Sequence, residues 1–315
     1  MEKEIMLSRG DLKIFCKLTQ PDFGDIRRVV LSVHGLGGST EDDIQSSIAE
    51  EMEIFSSAIL RFDFPAHGQS PVTDEAFSLE NCRISLLEAA KYAKAQFPEV
   101  EDLCIFSTGF GAYMVLICLE DLLELPGKIR LVVQTPSVLM HETLLSMRHM
   151  TLPTFQAMGE IRFSSKRPLT VKYSFYEDLL EINRNIRLVV QTPSVMMHET
   201  LLSMGHISLP TFRAMGEINF RSKRPLTVKY SFYEDLVEHI ALTDHPIPML
   251  ILHGEFDNYI PMEHIQHLRR LNENAKLVII PGASHRFLEE GAWDMVLDLT
   301  RDWFEFEQVL VTDWE

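Results

Sequence analysis

The sequence predicts an α/β protein, with a mostly parallel sheet covered by helices on both faces. Two observations carry that reading. From Arg28 onward, short β-branched runs alternate with stretches of helical periodicity. The runs themselves, such as RVVLSV and LCIF, are almost continuously apolar, as strands buried on both faces must be.

In chain order, the first 25 residues, with IMLSRGDLKIFCKLTQP, predict an antiparallel hairpin at the sheet edge. Arg28–Val33 is a strand. Glu41–Phe55 carries Ile44, Ile48 and Met52 at helical spacing, and Ala58–Phe62 is a second strand. Ser78–Ala95 is a helix with Leu79, Cys82, Leu86 and Ala90 on one side. Leu103–Phe106 is a strand and Ala112–Leu123 a helix. Pro248–His253 is a strand, Pro261–Leu271 a helix with proline in its first turn, and Lys276–Ile280 a strand. A last helix near Glu290–Val309 places Trp293, Val296, Leu297, Thr300, Trp303 and Phe304 on one core-facing side.

Between these elements lies a duplication. Residues 129–181 return at 186–238, at an offset of 57 residues and with 8 differences over 53 aligned positions. Two near-identical units do not make a solenoid. Removing one period leaves 258 of the 315 residues, a natural size for one α/β domain. Each copy reads as a buried strand IRLVVQ closed by proline, a Met-rich helical segment, a strand in RPLTVKYSF and a helix beginning at YEDL. Four segments follow: a core half at 1–128, copies at 129–185 and 186–242, and the rest of the core at 243–315. One IRLVV copy is expected in the main sheet and the other outside it. The surplus copy can form an extra cap, stay partly disordered, or exchange between chains in a homodimer.

Composition is that of a globular protein, 46% hydrophobic and 24% charged. The net charge of −17 repels phosphate backbones and anionic membranes, so neither nucleic acid nor membrane is expected as a partner. No apolar run approaches the roughly 20 residues of a bilayer span. The start, MEKEIMLSRGD, lacks a signal-peptide pattern, and a cytoplasmic location is expected. Cys16, Cys82, Cys104 and Cys118 are scattered and read as reduced thiols. His264 and His267 sit three apart without a matching carboxylate or cysteine motif, so no metal is expected, and no nucleotide fingerprint implies a cofactor.

In open α/β sheets, sites form at the carboxyl ends of the strands. VHGLGGS (33–39) can direct backbone N–H groups into a cleft, or be a plain turn. RFDFPAHGQS (61–70) holds Asp63 and His67 and reads more readily as a structured turn. STGFG (107–111) joins a strand to a helix. HGEFDNYIP (253–261) and PGASHRF (281–287) each follow a strand and bring an Asp and then a His.

As a set and in this order, these motifs resemble the α/β-hydrolase family, nearest to bacterial carboxylesterases of the cinnamoyl/feruloyl esterase kind and the serine aminopeptidase-like group. The resemblance spans nearly the whole chain apart from one repeat copy, and is more specific for fold than for substrate. It implies Asp257 as triad acid, His285 as triad base, the N–H groups of Leu36 and Phe110 as the oxyanion hole, and the repeat as a lid. It implies small apolar or aromatic esters as substrates and no cofactor. The lid residues Met140, Met147, Phe155 and Met158 fit an apolar pocket, or simply core. The departure is at the elbow motif G-x-S-x-G, where Gly109 holds the nucleophile position. Ser107, Thr108, Ser39, Ser284 and Cys104 have no placement that favours any of them as a substitute. The expectation is an esterase scaffold that is inactive or strongly impaired, or alternatively a non-catalytic binding protein.

Overall fold

The computed structural model describes residues 1–137, 140–164, 167–185, 215, 217–220, 226–229, 247–272 and 274–307. The N-terminal hairpin pairs β1 (Glu2–Arg9) with β2 (Leu12–Thr19). There follow β3 (Arg28–Val33), α1 (Asp43–Ile54), β4 (Ser57–Phe62), α2 (Leu79–Gln96), β5 (Leu103–Thr108), α3 (Gly109–Ile117) and α4 (Leu119–Leu123). The first repeat copy supplies β6 (Ile129–Gln134), α5 (Met140–Met147), α6 (Leu152–Met158), β7 (Glu160–Phe163), β8 (Leu169–Lys172) and α7 (Tyr173–Asn185). In the second copy the described strands are β9 (Glu217–Phe220) and β10 (Leu226–Lys229). The chain ends with β11 (Met249–Gly254), α8 (Met262–Leu271), β12 (Ala275–Ile280) and α9 (Ala292–Phe306).

Eight strands form one sheet in the order β1-β2-β4-β3-β5-β6-β11-β12. The β1/β2 and β2/β4 pairings are antiparallel, and every pairing from β4/β3 to β11/β12 is parallel. The carboxyl ends of β3, β5, β6, β11 and β12 therefore lie on one edge.

The apolar runs are explained by burial on both sides. Leu103 and Ile105 of β5 join a core shared with α2, α3 and the first repeat copy. Cys104 and Phe106 point the other way, into a core shared with α1 and α9. Val29, Leu31 and Val33 against Val30, and Leu131 and Val133 against Val132, repeat that alternation. All four cysteines are free and buried.

Several boundaries differ from the periodicity. β5 runs on to Thr108, and the following helix begins at Gly109 instead of Ala112 and is interrupted at Cys118. Pro261 is the N-cap of α8, outside its first turn. The tract RPLTVKYSF yields only a four-residue strand, because Tyr173 already starts α7. The short β7 carries no apolar alternation strong enough to announce it.

The first copy of IRLVVQ occupies the sheet, between β5 and β11. The matching residues of the second copy, 186–191, lie outside the described residues, as does most of the segment 186–242. The two hairpins are equivalent. Glu160 faces Lys172 and Phe163 faces Leu169, as Glu217 faces Lys229 and Phe220 faces Leu226.

The first copy is packed into the domain. Met140 and Phe155 are core residues, and Phe175 stacks on Phe77 with centroids 4.4 Å apart. Arg167 locks the hairpin to the loop after β4. Its Nη1 donates to the carbonyls of Ser70 at 2.6 Å and Gly68 at 3.2 Å, and its Nη2 to that of Val72 at 3.0 Å.

Hydrogen bonds from a cation contribute more than neutral ones, so Arg167→Ala is expected to cost about 2 kcal/mol of unfolding free energy. Urea denaturation checks this, and an unchanged midpoint would contradict the docking role. Because the first copy already completes the sheet, a variant lacking residues 186–242 is expected to remain folded. Its circular dichroism should keep the α/β shape and its unfolding should stay cooperative.

Candidate functional site

The site edge is built around the bend between β5 and α3. Gly109, the first residue of α3, has φ +48°, a left-handed conformation that costs side chains about 1–2 kcal/mol. Two residues later the helix lies so close to β3 that a Cβ on Gly111 would strike the carbonyl oxygens of His34 and, at 2.7 Å, Val33. Only glycine allows that approach. Phe110 is buried at the start of the helix, its ring in edge contact with Phe64 and Phe77. Ser107 is buried, and its Oγ donates to the carbonyl of Val132 at 3.4 Å. Cys104 is enclosed within β5, its thiol pushed up to about 12 by burial.

The loop after β3 holds His34 and Leu36. Phe64 N–H donates to His34 Nε2 at 3.1 Å, so the Nδ1 proton goes to the Gly35 carbonyl at 2.8 Å. Burial holds His34 down at about 4. The backbone N–H groups of Leu36 and Phe110 donate to no acceptor among the described residues.

The loop after β4 is architectural, as its residue pattern suggests. Asp63 accepts the N–H groups of Thr40 and Gln69, both at 2.7 Å. Burial raises its carboxyl to about 6 in spite of those bonds. His67 donates from Nδ1 to the Pro65 carbonyl at 2.9 Å, and burial pushes it down to about 3.

Asp257 and His285 are brought together by the ends of β11 and β12. His285 Nδ1 lies 2.8 Å from Asp257 Oδ2. The other carboxylate oxygen, Oδ1, accepts the N–H groups of Tyr259 at 2.8 Å and Ile260 at 3.0 Å. Burial pushes the Asp257 carboxyl up, but the His285 bond and these two N–H groups outweigh it and leave it below its ordinary value. The two loops are tied through the backbone, with Glu255 N–H on the Ile280 carbonyl and Phe256 N–H on the Ala283 carbonyl. Tyr259 meets the His285 ring edge-on at 5.0 Å. The Asp257 side chain is fully covered, whereas that of His285 is 22% exposed, and its Nε2 makes no hydrogen bond among the described residues. A second imidazole, His253 Nδ1, stands 3.8 Å from Asp257 Oδ2. Burial lowers its pKa and keeps it neutral.

Ser137 was not among the candidates the motifs singled out. It lies just beyond β6, and among the described residues its Oγ is the one atom within 4 Å of where a Cβ on Gly109 would stand, chain neighbours and the backbone of α3 aside. The signal was the Thr-Pro-Ser tract at the end of a central parallel strand, hidden because it reads as a strand terminator. Among the described residues there is no cluster of His, Cys, Asp or Glu that could hold a metal, and no helix is long and apolar enough to cross a membrane.

No family model matches the sequence, and no curated protein does. Solved structures do. Est1E from Butyrivibrio proteoclasticus superposes with a TM-score of 0.61 at 17% identity, covering 96% of this chain and 98% of that one. It is also known with ferulic acid bound. The esterase domain of a Rhodothermus marinus protein gives 0.58 at 16% identity, over 96% and 97% of the two chains. XC6422 from Xanthomonas campestris, described as a serine hydrolase without a lid, gives 0.55 at 15%, over 99% and 97%.

The chain has the α/β-hydrolase fold. In the terms of that fold, Gly109 stands at the bend between the central strand and its helix, and Asp257 and His285 follow β11 and β12 on the same edge of the sheet.

The buried histidines predict acid sensitivity. Unfolded, His34, His67 and His253 take up protons near 6.5; folded, they do so only at lower pH, so stability is lost as pH falls below about 6.5. Asp63, protonated near 6 in the folded state, offsets one of the three. Asp257 adds a further loss below its ordinary value of 3.8. The urea midpoint is therefore expected to drop between pH 7 and pH 5 and again below pH 4. A flat profile between 7 and 5 would mean these imidazoles are not buried in neutral form.

Proposed function

We propose that this chain is a carboxylic-ester hydrolase scaffold whose acyl-transfer machinery lacks its serine at residue 109. The observation that carries the reading is the 2.8 Å contact between Asp257 and His285, with Nε2 of the imidazole left unengaged. Asp257 fixes His285 as the Nδ1–H tautomer and stabilises the imidazolium that forms when Nε2 takes a proton. The unengaged N–H groups of Leu36 and Phe110 supply donors for an oxyanion. Exposed Phe256, Tyr259 and Leu288 flank the Asp257 and His285 loops and favour an apolar or aromatic group on the substrate. The ferulic acid bound to Est1E points the same way.

Glycine at 109 is comfortable for the backbone and severe for the chemistry. It removes the nucleophile that His285 would deprotonate, a loss that costs serine hydrolases about six orders of magnitude in kcat. That same observation favours a second reading, in which the pocket binds a small apolar ligand without turning it over.

Gly109→Ser separates the two. The nearest atom to the new Cβ, Ser137 Oγ, is 3.9 Å away, so the side chain fits. The left-handed backbone is expected to cost about 1 kcal/mol of stability. Hydrolysis of p-nitrophenyl acetate and butyrate should rise about 10³-fold or more, and His285→Ala should abolish the gain. No gain, together with a ligand retained in native mass spectrometry, would establish the binding reading instead.

A further inference from the structure

We propose that Ser137 takes the nucleophile's part in this chain, attacking an activated ester from the loop after β6; the proposal rests on the esterase reading above.

Four observations converge on it. Ser137 Oγ lies 3.9 Å from the point where a Cβ of residue 109 would be, and among the described residues no other side chain beyond its chain neighbours approaches that point within 4 Å. The residue is only 3% exposed, and its hydroxyl makes no hydrogen bond among the described residues, but the oxygen itself is not fully enclosed and remains open to the site. The loop is pinned to the site on two sides. Ser137 N–H donates to the Gly109 carbonyl at 3.2 Å, and Thr135 N–H donates to the carbonyl of Leu252, in the strand that leads to Asp257, at 2.8 Å. Finally, Thr135 has φ +41°. A β-branched residue avoids that conformation, and Pro136 after it restricts it further. Strain of this kind persists where the surroundings enforce it and is concentrated at functional positions. It turns the chain so that Ser137, and not a continuation of the strand, meets the bend.

Glycine at 109 then acquires a role. A serine there would interpose its own hydroxyl between Ser137 and the substrate; glycine leaves the space beside the Ser137 hydroxyl open. The reaction balances with the groups present. Ser137 Oγ bonds to the ester carbonyl carbon as its proton passes to His285 Nε2. The oxyanion takes the N–H groups of Leu36 and Phe110. Collapse breaks the carbon–alkoxy bond, and His285 returns its proton to the leaving alkoxide. Water then adds to the acyl-Ser137 carbonyl, giving its proton to His285. Breakdown of that intermediate releases the acid, and the proton returns to the Ser137 oxygen.

The test is covalent labelling of the full chain with a fluorophosphonate, followed by trypsin digestion and fragment mass spectrometry. Ser137 falls in the peptide 131–148, whose mass differs from that of the repeat peptide 188–213. The expected result is an adduct on Ser137 that disappears in His285→Ala. Alongside it, p-nitrophenyl acetate hydrolysis should fall at least tenfold in Ser137→Ala. Ser137→Cys should retain turnover and become sensitive to iodoacetamide. An adduct on Ser194 or elsewhere, no adduct at all, or hydrolysis unchanged in Ser137→Ala overturns the proposal. If the unaltered chain shows no hydrolysis but Gly109→Ser/Ser137→Ala does, Ser137 is excluded while the esterase scaffold stands. If neither hydrolyses, both fall. Alanine leaves no buried partner unsatisfied at this position, so matching circular dichroism is expected and a folding defect would be visible there.

Discussion

The close approach of α3 to the end of β3 governs the rest of the site. Two backbone carbonyls, those of Val33 and His34, lie where a side chain on residue 111 would be. The helix begins at once after β5, without a connecting loop, and the chain reverses with residue 109 in the left-handed region. That sharp reversal puts residue 109 and the first free N–H groups of α3 on the sheet edge where the other parallel strands also end. Loosening the contact would lengthen the turn and carry residue 109 away from the edge.

Across the sheet, Asp257 and His285 are positioned by backbone rather than by side-chain packing. The Asp257 carboxylate is filled by two N–H groups from its own loop and one imidazole proton, which leaves it no freedom to rotate. His253 adds a constraint from the other side. A neutral imidazole 3.8 Å from Oδ2 lines the carboxylate without competing for a salt bridge. The acid is thus ionised and immobile, and the exposed edge of His285 is the one element of the pair still free to move a proton.

What could be read in the sequence follows from how local each signal is. The parallel core was legible because strands buried on two faces must be apolar throughout, as RVVLSV and MLILHG are. Asp257 and His285 were legible because they follow such strands in motifs of fixed order. The architectural role of Asp63 was legible because a turn rich in Pro, Gly and Ser needs a carboxylate to gather its N–H groups. Ser137 was not, since its place beside the bend comes from a hydrogen bond to residue 109, 28 positions earlier at the end of the neighbouring strand. Thr135 shows the same limit. Nothing in Gln-Thr-Pro says that the threonine will be left-handed or that its N–H will bond to Leu252 of the neighbouring strand β11. The split at Cys118 and the short β7 depend likewise on packing and not on local propensity.

The duplication poses a choice that propensity cannot make. Residues 129–138 and 186–195 are identical, so either could pair with β5 and β11 equally well. The eight differences lie beyond that tract, and few bear on docking. Arg148 stands over the Phe163 ring at 5.7 Å in the first copy, and the second has Gly205 at the equivalent position. Such a contact is worth about 0.5–1 kcal/mol, a several-fold preference at most. Arg162 pairs with Glu160 in full view of solvent, where an ion pair contributes little. Connectivity supplies the stronger bias. The first copy enters the sheet five residues after α4, through 124–128, and it is synthesised first. A strand that reaches its neighbour through a short loop closes at small entropic cost and has folded before a competitor exists. Occupancy of the slot by the nearer copy therefore follows from chain order rather than from a better sequence.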